Sequence, residues 1–173
     1  NVQHDFQTGK DYDNSFQNYI SVISEQKLSV TNIFPQENAA GTAVNTYELQ
    51  SSSYPNDSSI VSEVLNAMAR GEICNDGKTF DLSQYKLDNI QNGIVDNLTI
   101  VVQGNPGDNM GDLLWPHKAQ YSGTETINGC RVFNFNFLPS SALVTDDASI
   151  GAKQAQGVIA HEFLHVLGFP DLY

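Results

Sequence analysis

Basic residues are scarce in this chain: eight lysines and arginines stand against twenty aspartates and glutamates, a formal net charge of −12. A field of that sign argues against nucleic acid or an anionic membrane as partner. Long apolar runs are lacking too, and none approaches the ~20 residues a membrane-spanning helix needs. There are two cysteines, Cys74 and Cys130. They lack the close spacing of a cysteine-built zinc site, and form either one disulfide or two buried thiols. Charged residues make up 16% of the chain, below the usual ~25%, and Asn, Ser, Thr and Gln fill the difference. The glycine-rich stretch Gly104–Asp108 is followed by no Lys-Ser/Thr pair, which excludes a phosphate-cradling loop. It reads instead as a loop. No signal peptide is visible, and the chain starts at Asn1 rather than Met, as expected of a processed or trimmed product. A chain of 173 residues suits one domain that buries roughly 70% of its unfolded surface.

Histidine is also rare, with four in all, and two of them fall in one pentapeptide, His161-Glu162-Phe163-Leu164-His165. On a helix, residues four apart lie about 40° apart around the axis and about 6 Å apart along it. Both imidazoles can therefore reach one zinc ion, and Glu162 can reach a water bound to it as general base. The motif continues as Val166-Leu167-Gly168-Phe169-Pro170-Asp171. Gly168 can adopt a left-handed conformation and end the helix, and Pro170 forbids its continuation. The chain should then turn back. Asp171 either supplies a third ligand, leaving a fourth position open, or caps a following element.

Periodicity supplies the coarse elements. Phe16, Tyr19, Ile20 and Ile23 mark one face of a helix over Ser15–Glu25, capped by Asn14 or Ser15. Residues 27–34 alternate imperfectly and read as a strand ending at Pro35. Residues 36–57 are polar and read as loop, with one short strand near Tyr47. A second helix opens at Ser58 or Ser59 and runs to Arg70, with Gly71 as its stop. Asn97–Gln103 is nearly all apolar, the pattern of a central strand buried on both faces. Arg131–Phe137 alternates, with Phe133, Phe135 and Phe137 on one side and asparagines on the other. Gly151–Leu167 is the long helix that carries the histidines.

HEFLHVLGFPDLY resembles the immune inhibitor A family of bacterial secreted metallopeptidases. Asn14 to Pro35, Phe80–Tyr85, Gly93–Asp96, Leu98–Gly107 and Leu114-Trp115-Pro116-His117-Lys118 resemble further segments of that family, in order. The resemblance implies an α/β (α+β) metzincin-like fold: a twisted mixed β-sheet packed against helices, including the long active-site helix. It implies peptide hydrolysis, with zinc held by His161, His165 and Asp171, a protein or peptide as substrate, and a secreted or cell-surface location. That setting permits a disulfide between Cys74 and Cys130, which is the expectation. In such enzymes an edge strand pairs with extended substrate. Phe133 and Phe135 mark the candidate strand, and an ordinary sheet strand is the other reading. His117 is a candidate for substrate binding, or a structural histidine beside Trp115. The family's middle loop is calcium-like, but here its positions are Asp88, Ile90, Asn92, Gly93 and Asp96. Isoleucine offers no side-chain oxygen and asparagine no charge, which weakens a hard-cation site. A polar turn is expected, with calcium at Asp88, Asn92 and Asp96 as the alternative.

Such enzymes need more chain beyond the third ligand, and Tyr173 follows Asp171 by two residues. Residues 1–173 are therefore expected to be the upper part of a catalytic domain, a fragment without its lower C-terminal subdomain. Against the enzyme stands a second class, a non-catalytic surface binding or adhesin module on the same scaffold. The intact Glu162 argues against that class, because a binding module has no need of it.

Overall fold

The computed structural model describes residues 15–34, 46–75, 78–79, 82–103, 115–143 and 151–171. The Gly104–Asp108 loop lies outside them. The described elements are α1 (Phe16–Ile23), α2 (Asp57–Ala69), β1 (Cys74–Asn75), β2 (Lys78–Thr79), β3 (Leu98–Val102), β4 (His117–Gln120), β5 (Thr126–Ile127), β6 (Cys130–Arg131), β7 (Asn134–Pro139), a 3₁₀ turn (Ser140–Leu143) and α3 (Gly151–Val166). This is a mixed α/β fold, as expected. Two antiparallel ribbons, β1-β2 and β5-β6, accompany a three-stranded sheet of order β3-β7-β4. The chain divides into two compact units.

The first unit comprises residues 1–33, 101–118 and 137–173 and holds α1 and α3. The Ser15 side chain caps α1 by accepting from the Asn18 backbone N–H at 3.2 Å. A helix of eight residues is unstable alone, so packing must hold it. Phe16 and Ile20, one turn apart, are 2% and 1% exposed, and each such burial contributes about 1.5–3 kcal/mol. The Phe16 ring meets Phe163 of α3 edge-on, with centroids 5.0 Å apart. Gln156 of α3 donates to the Ser15 carbonyl at 2.9 Å. Tyr19 and Ile23, assigned to the same face by spacing, are exposed at its margin. Residues 27–34 form no strand. Leu28 and Val30 are half-buried between exposed Ser29 and Thr31, so the alternation reports burial without a ladder.

The second unit comprises residues 34–100 and 119–136. Its α2 starts one or two residues earlier than the serines suggest. Asn56 is the cap, its Oδ1 accepting from the Ser59 N–H at 2.9 Å. Ile60, Val61 and Leu65 are buried, as their stripe requires. Residues 46–57 hold no strand; instead Tyr47, Tyr54 and the Gln50 N–H all donate to the Glu63 carboxylate on α2. Ser62 of the same helix donates to Glu125, which Tyr121 also reaches. The Ser62 and then the Tyr121 hydroxyl hold the Glu125 carboxyl down at about 2. Gly123 lies against this pair: a Cβ there would strike the Tyr121 ring and the Glu125 carboxylate.

Two expectations about strands are corrected. In the order β3-β7-β4, β7 is the middle strand, and among the described strands β3 lies beside it at an edge. Only Ile100 of β3 is buried, whereas β7 is buried almost throughout, Phe135, Phe137 and Leu138 to 0% exposure and Asn136 to 2%. The alternation in Arg131–Phe137 therefore does not mark a solvent face. The cysteine bridge is also corrected: Cys130 is a half-buried free thiol.

Candidate active site

The long helix α3 ends in a closed turn built from the sequence that follows the histidines. Gly168 N–H donates to the His165 carbonyl at 3.1 Å, and Phe169 N–H to the Leu164 carbonyl at 3.0 Å. These are the two bonds of a Schellman stop, and Gly168 has the left-handed φ of +94° that the stop requires. The turn reverses the chain and carries Asp171 back to the helix. Nothing lies within 4 Å of where a Gly168 Cβ would sit. Gly168→Ala should thus cost only the backbone term, about 1–2 kcal/mol in a denaturant titration. A loss above about 4 kcal/mol would point to a clash absent from this geometry.

Three ligand-type atoms converge behind that turn. His161 Nε2 and His165 Nε2 are 3.2 Å apart. Asp171 Oδ1 lies 3.3 Å from the first and 3.2 Å from the second. Among the described residues, this is the one group of three or more His, Cys, Asp or Glu side chains arranged to hold a metal ion. The imidazole rings meet at 83° with centroids 4.7 Å apart, so their nitrogens point at a common position from two directions. Tetrahedral coordination with bonds of about 2.0–2.1 Å sets ligand atoms about 3.3–3.4 Å apart, and the observed triangle matches that.

The tautomer supports the same reading. His165 Nδ1 lies 2.7 Å from the Phe169 carbonyl oxygen, which accepts only, so Nδ1 carries a proton. In the neutral ring Nε2 is then a lone pair facing a carboxylate oxygen. Two acceptors at 3.2 Å need a cation or a proton between them. A backbone carbonyl that orients a ligand histidine is the usual support for a metal site.

Glu162 is buried, at 5% exposure, and its Oε1 is 4.0 Å from His161 Nε2. Burial lifts its carboxyl above the ordinary carboxylate range; the imidazoles of His161, His165 and His117 oppose the lift when charged, and Asp171 adds to it. A carboxylate with raised proton affinity makes a stronger general base.

The other candidates are placed differently. His117 opens β4, its Nδ1 lies 2.7 Å from the Trp115 carbonyl, and its ring stacks on Phe137 at 5.5 Å. These contacts hold its ring against β7. Phe135 is fully buried, and the strand that carries it has neighbours on both sides. The expectation that Phe135 lines a substrate-pairing edge is corrected on both counts. Phe133 precedes β7, is 37% exposed, and accepts at its carbonyl from the Tyr121 N–H. Asp88 accepts from the backbone N–H groups of Asn92 and Gly93, and Asp96 from Asn89. Asn92 accepts from the Ile94 N–H. These side chains close a polar turn. An open cavity of about 390 Å³ adjoins His165, lined also by Lys118, Gly168, Phe169 and Pro170. Lys118 was not singled out from the sequence; its signal was its place next to His117.

A mixed α/β fold whose long helix bears this motif and turns back on it defines a metallopeptidase class. Over residues 6–173 the chain matches the family model of the immune inhibitor A peptidase M6 catalytic domain, and it belongs to that family. It is therefore a metallopeptidase, which implies a metal cofactor and protein substrates. No curated protein and no solved structure matches it. Among the described residues no helix is long and apolar enough to cross a membrane.

Proposed function

We propose that this chain is a zinc-dependent endopeptidase that hydrolyses peptide bonds of extracellular proteins, at a secreted or cell-surface location. The observation that carries this reading is the triangle of His161 Nε2, His165 Nε2 and Asp171 Oδ1, with sides of 3.2–3.3 Å. These three residues would hold the metal, and nitrogen and carboxylate donors at that spacing suit zinc. Zinc bound there supplies Lewis acidity, polarising the scissile carbonyl and lowering the pKa of a water to about 7.

Glu162 accepts a proton from the attacking water as its oxygen bonds to the peptide carbonyl carbon. It then delivers that proton to the leaving amine nitrogen as the C–N bond breaks. Burial keeps bulk water from competing for this carboxylate, and the Schellman turn keeps Asp171 in place. His165 is held by the Phe169 carbonyl, so its Nε2 does not rotate away.

Metal analysis and casein digestion test the reading together. Protein purified without added metal should carry about one zinc per chain, and it should degrade casein in a chelator-sensitive way. Protein that binds zinc at these residues yet leaves casein intact would overturn the peptidase assignment. Protein that takes up no zinc would overturn the ligand set.

A further inference from the structure

Among the lysines and arginines whose side chains are described, Lys118 is the half-buried one, whereas Lys27, Arg70, Lys86 and Arg131 are exposed. Lys27 pairs with Glu25 and Arg70 with Glu72. Among the described residues, no carboxylate lies within ion-pair distance of Lys118, although acidic residues outnumber basic ones by twenty to eight. Lys118 is half-buried on β4. It lines the 390 Å³ cavity beside His165, whose other walls include Phe169 and Pro170. Withdrawing a lysine from water without a counter-charge is unfavourable, and the apolar stem can offset this only in part. A cation held in this way beside apolar walls suits an anionic guest whose methylene groups lie on Phe169 and Pro170.

We propose that this cavity is a substrate subsite next to the scissile bond, and that Lys118 selects an aspartate or glutamate side chain there. The proposal rests on the zinc-peptidase reading of His161, His165 and Asp171. The net charge of −12 repels acidic peptides at a distance. That repulsion is largely screened beyond about 8–10 Å at physiological salt, whereas a partly buried contact pair is screened much less. The local cation therefore decides the preference at this subsite.

The test separates binding from turnover. Fluorescent peptides in which a single Glu or Gln is stepped along a neutral sequence are titrated against the Glu162→Gln protein, and zinc is measured on the same samples. At one position Glu should bind about tenfold tighter than its uncharged isostere, as expected for one half-buried ion pair. In the Glu162→Gln, Lys118→Met protein that ratio should fall to about one. Lys118→Glu should reverse it in favour of a Lys-bearing peptide, and Lys118→Arg should keep it. Equal Glu and Gln affinities at every position would overturn the proposal. So would a Glu preference that survives Lys118→Met, because the side chain would then be held by something else, the metal included. Failure of the zinc reading would show separately, as absent zinc in those samples.

Discussion

Glu162→Gln should keep the metal and lose at least about 100-fold in kcat against casein, with the loss extending towards ~10⁴-fold. The substitution exchanges one carboxylate oxygen for an amide nitrogen and leaves size and shape almost unchanged. It removes the group that accepts the water proton. Glu162 is not among the three converging atoms: its Oε1 is 4.0 Å from His161 Nε2, while the ligand triangle closes at 3.2–3.3 Å. Metal content should therefore stay at the parent level. Burial also means that few rotamers are open to the new side chain. Undiminished casein digestion by a folded, metal-loaded Glu162→Gln protein would remove this residue from the chemistry. Loss of metal along with activity would instead place Glu162 in the coordination sphere.

Asp171→Ala is the second large effect. Asp171 is the most exposed of the three converging side chains, at 52%, and it follows a turn rather than lying on the helix. Its removal leaves α3, the Schellman stop and both imidazoles intact. Stability of the metal-free protein should therefore change little. Metal affinity should fall by more than about 100-fold, because a change in a supporting residue alone often gives 10–100-fold. Casein digestion at sub-micromolar zinc should fall to background. Competition with a chromogenic chelator reads the affinity directly. If Asp171→Ala holds zinc as tightly as the parent, the third ligand lies elsewhere. The observed Asp171 contacts would then be charge pairing with protonated histidines.

The candidate site was legible from the sequence because it is local. His161, Glu162 and His165 share one helix, and helical geometry relates them without reference to any other part of the chain. Gly168 and Pro170 encode the stop through their own backbone preferences, and the stop in turn brings Asp171 back. The Ser15 cap and the buried stripe of α2 follow the same rule. Elements failed to be legible where their state depends on a partner. Residues 27–34 alternate as a strand does, but a strand exists only if another pairs with it. Phe135 reads as one face of an edge, yet its strand takes the middle position. The loop at Asp88, Asn92 and Asp96, by contrast, reads as a polar turn from sequence, and its oxygens accept from its own backbone.

Local periodicity and backbone chemistry by themselves determined the helices, the Ser15 cap, and a helix-borne pair of imidazoles with a carboxylate beside them. Tertiary structure alone decided that Asp171 closes the triangle at 3.2–3.3 Å, that β7 lies between β3 and β4, and that Lys118 meets Phe169 and Pro170 around one cavity. Lys118 and His165 are far apart along the chain. Spacing rules act over a few residues, and only the packed chain brings such groups together.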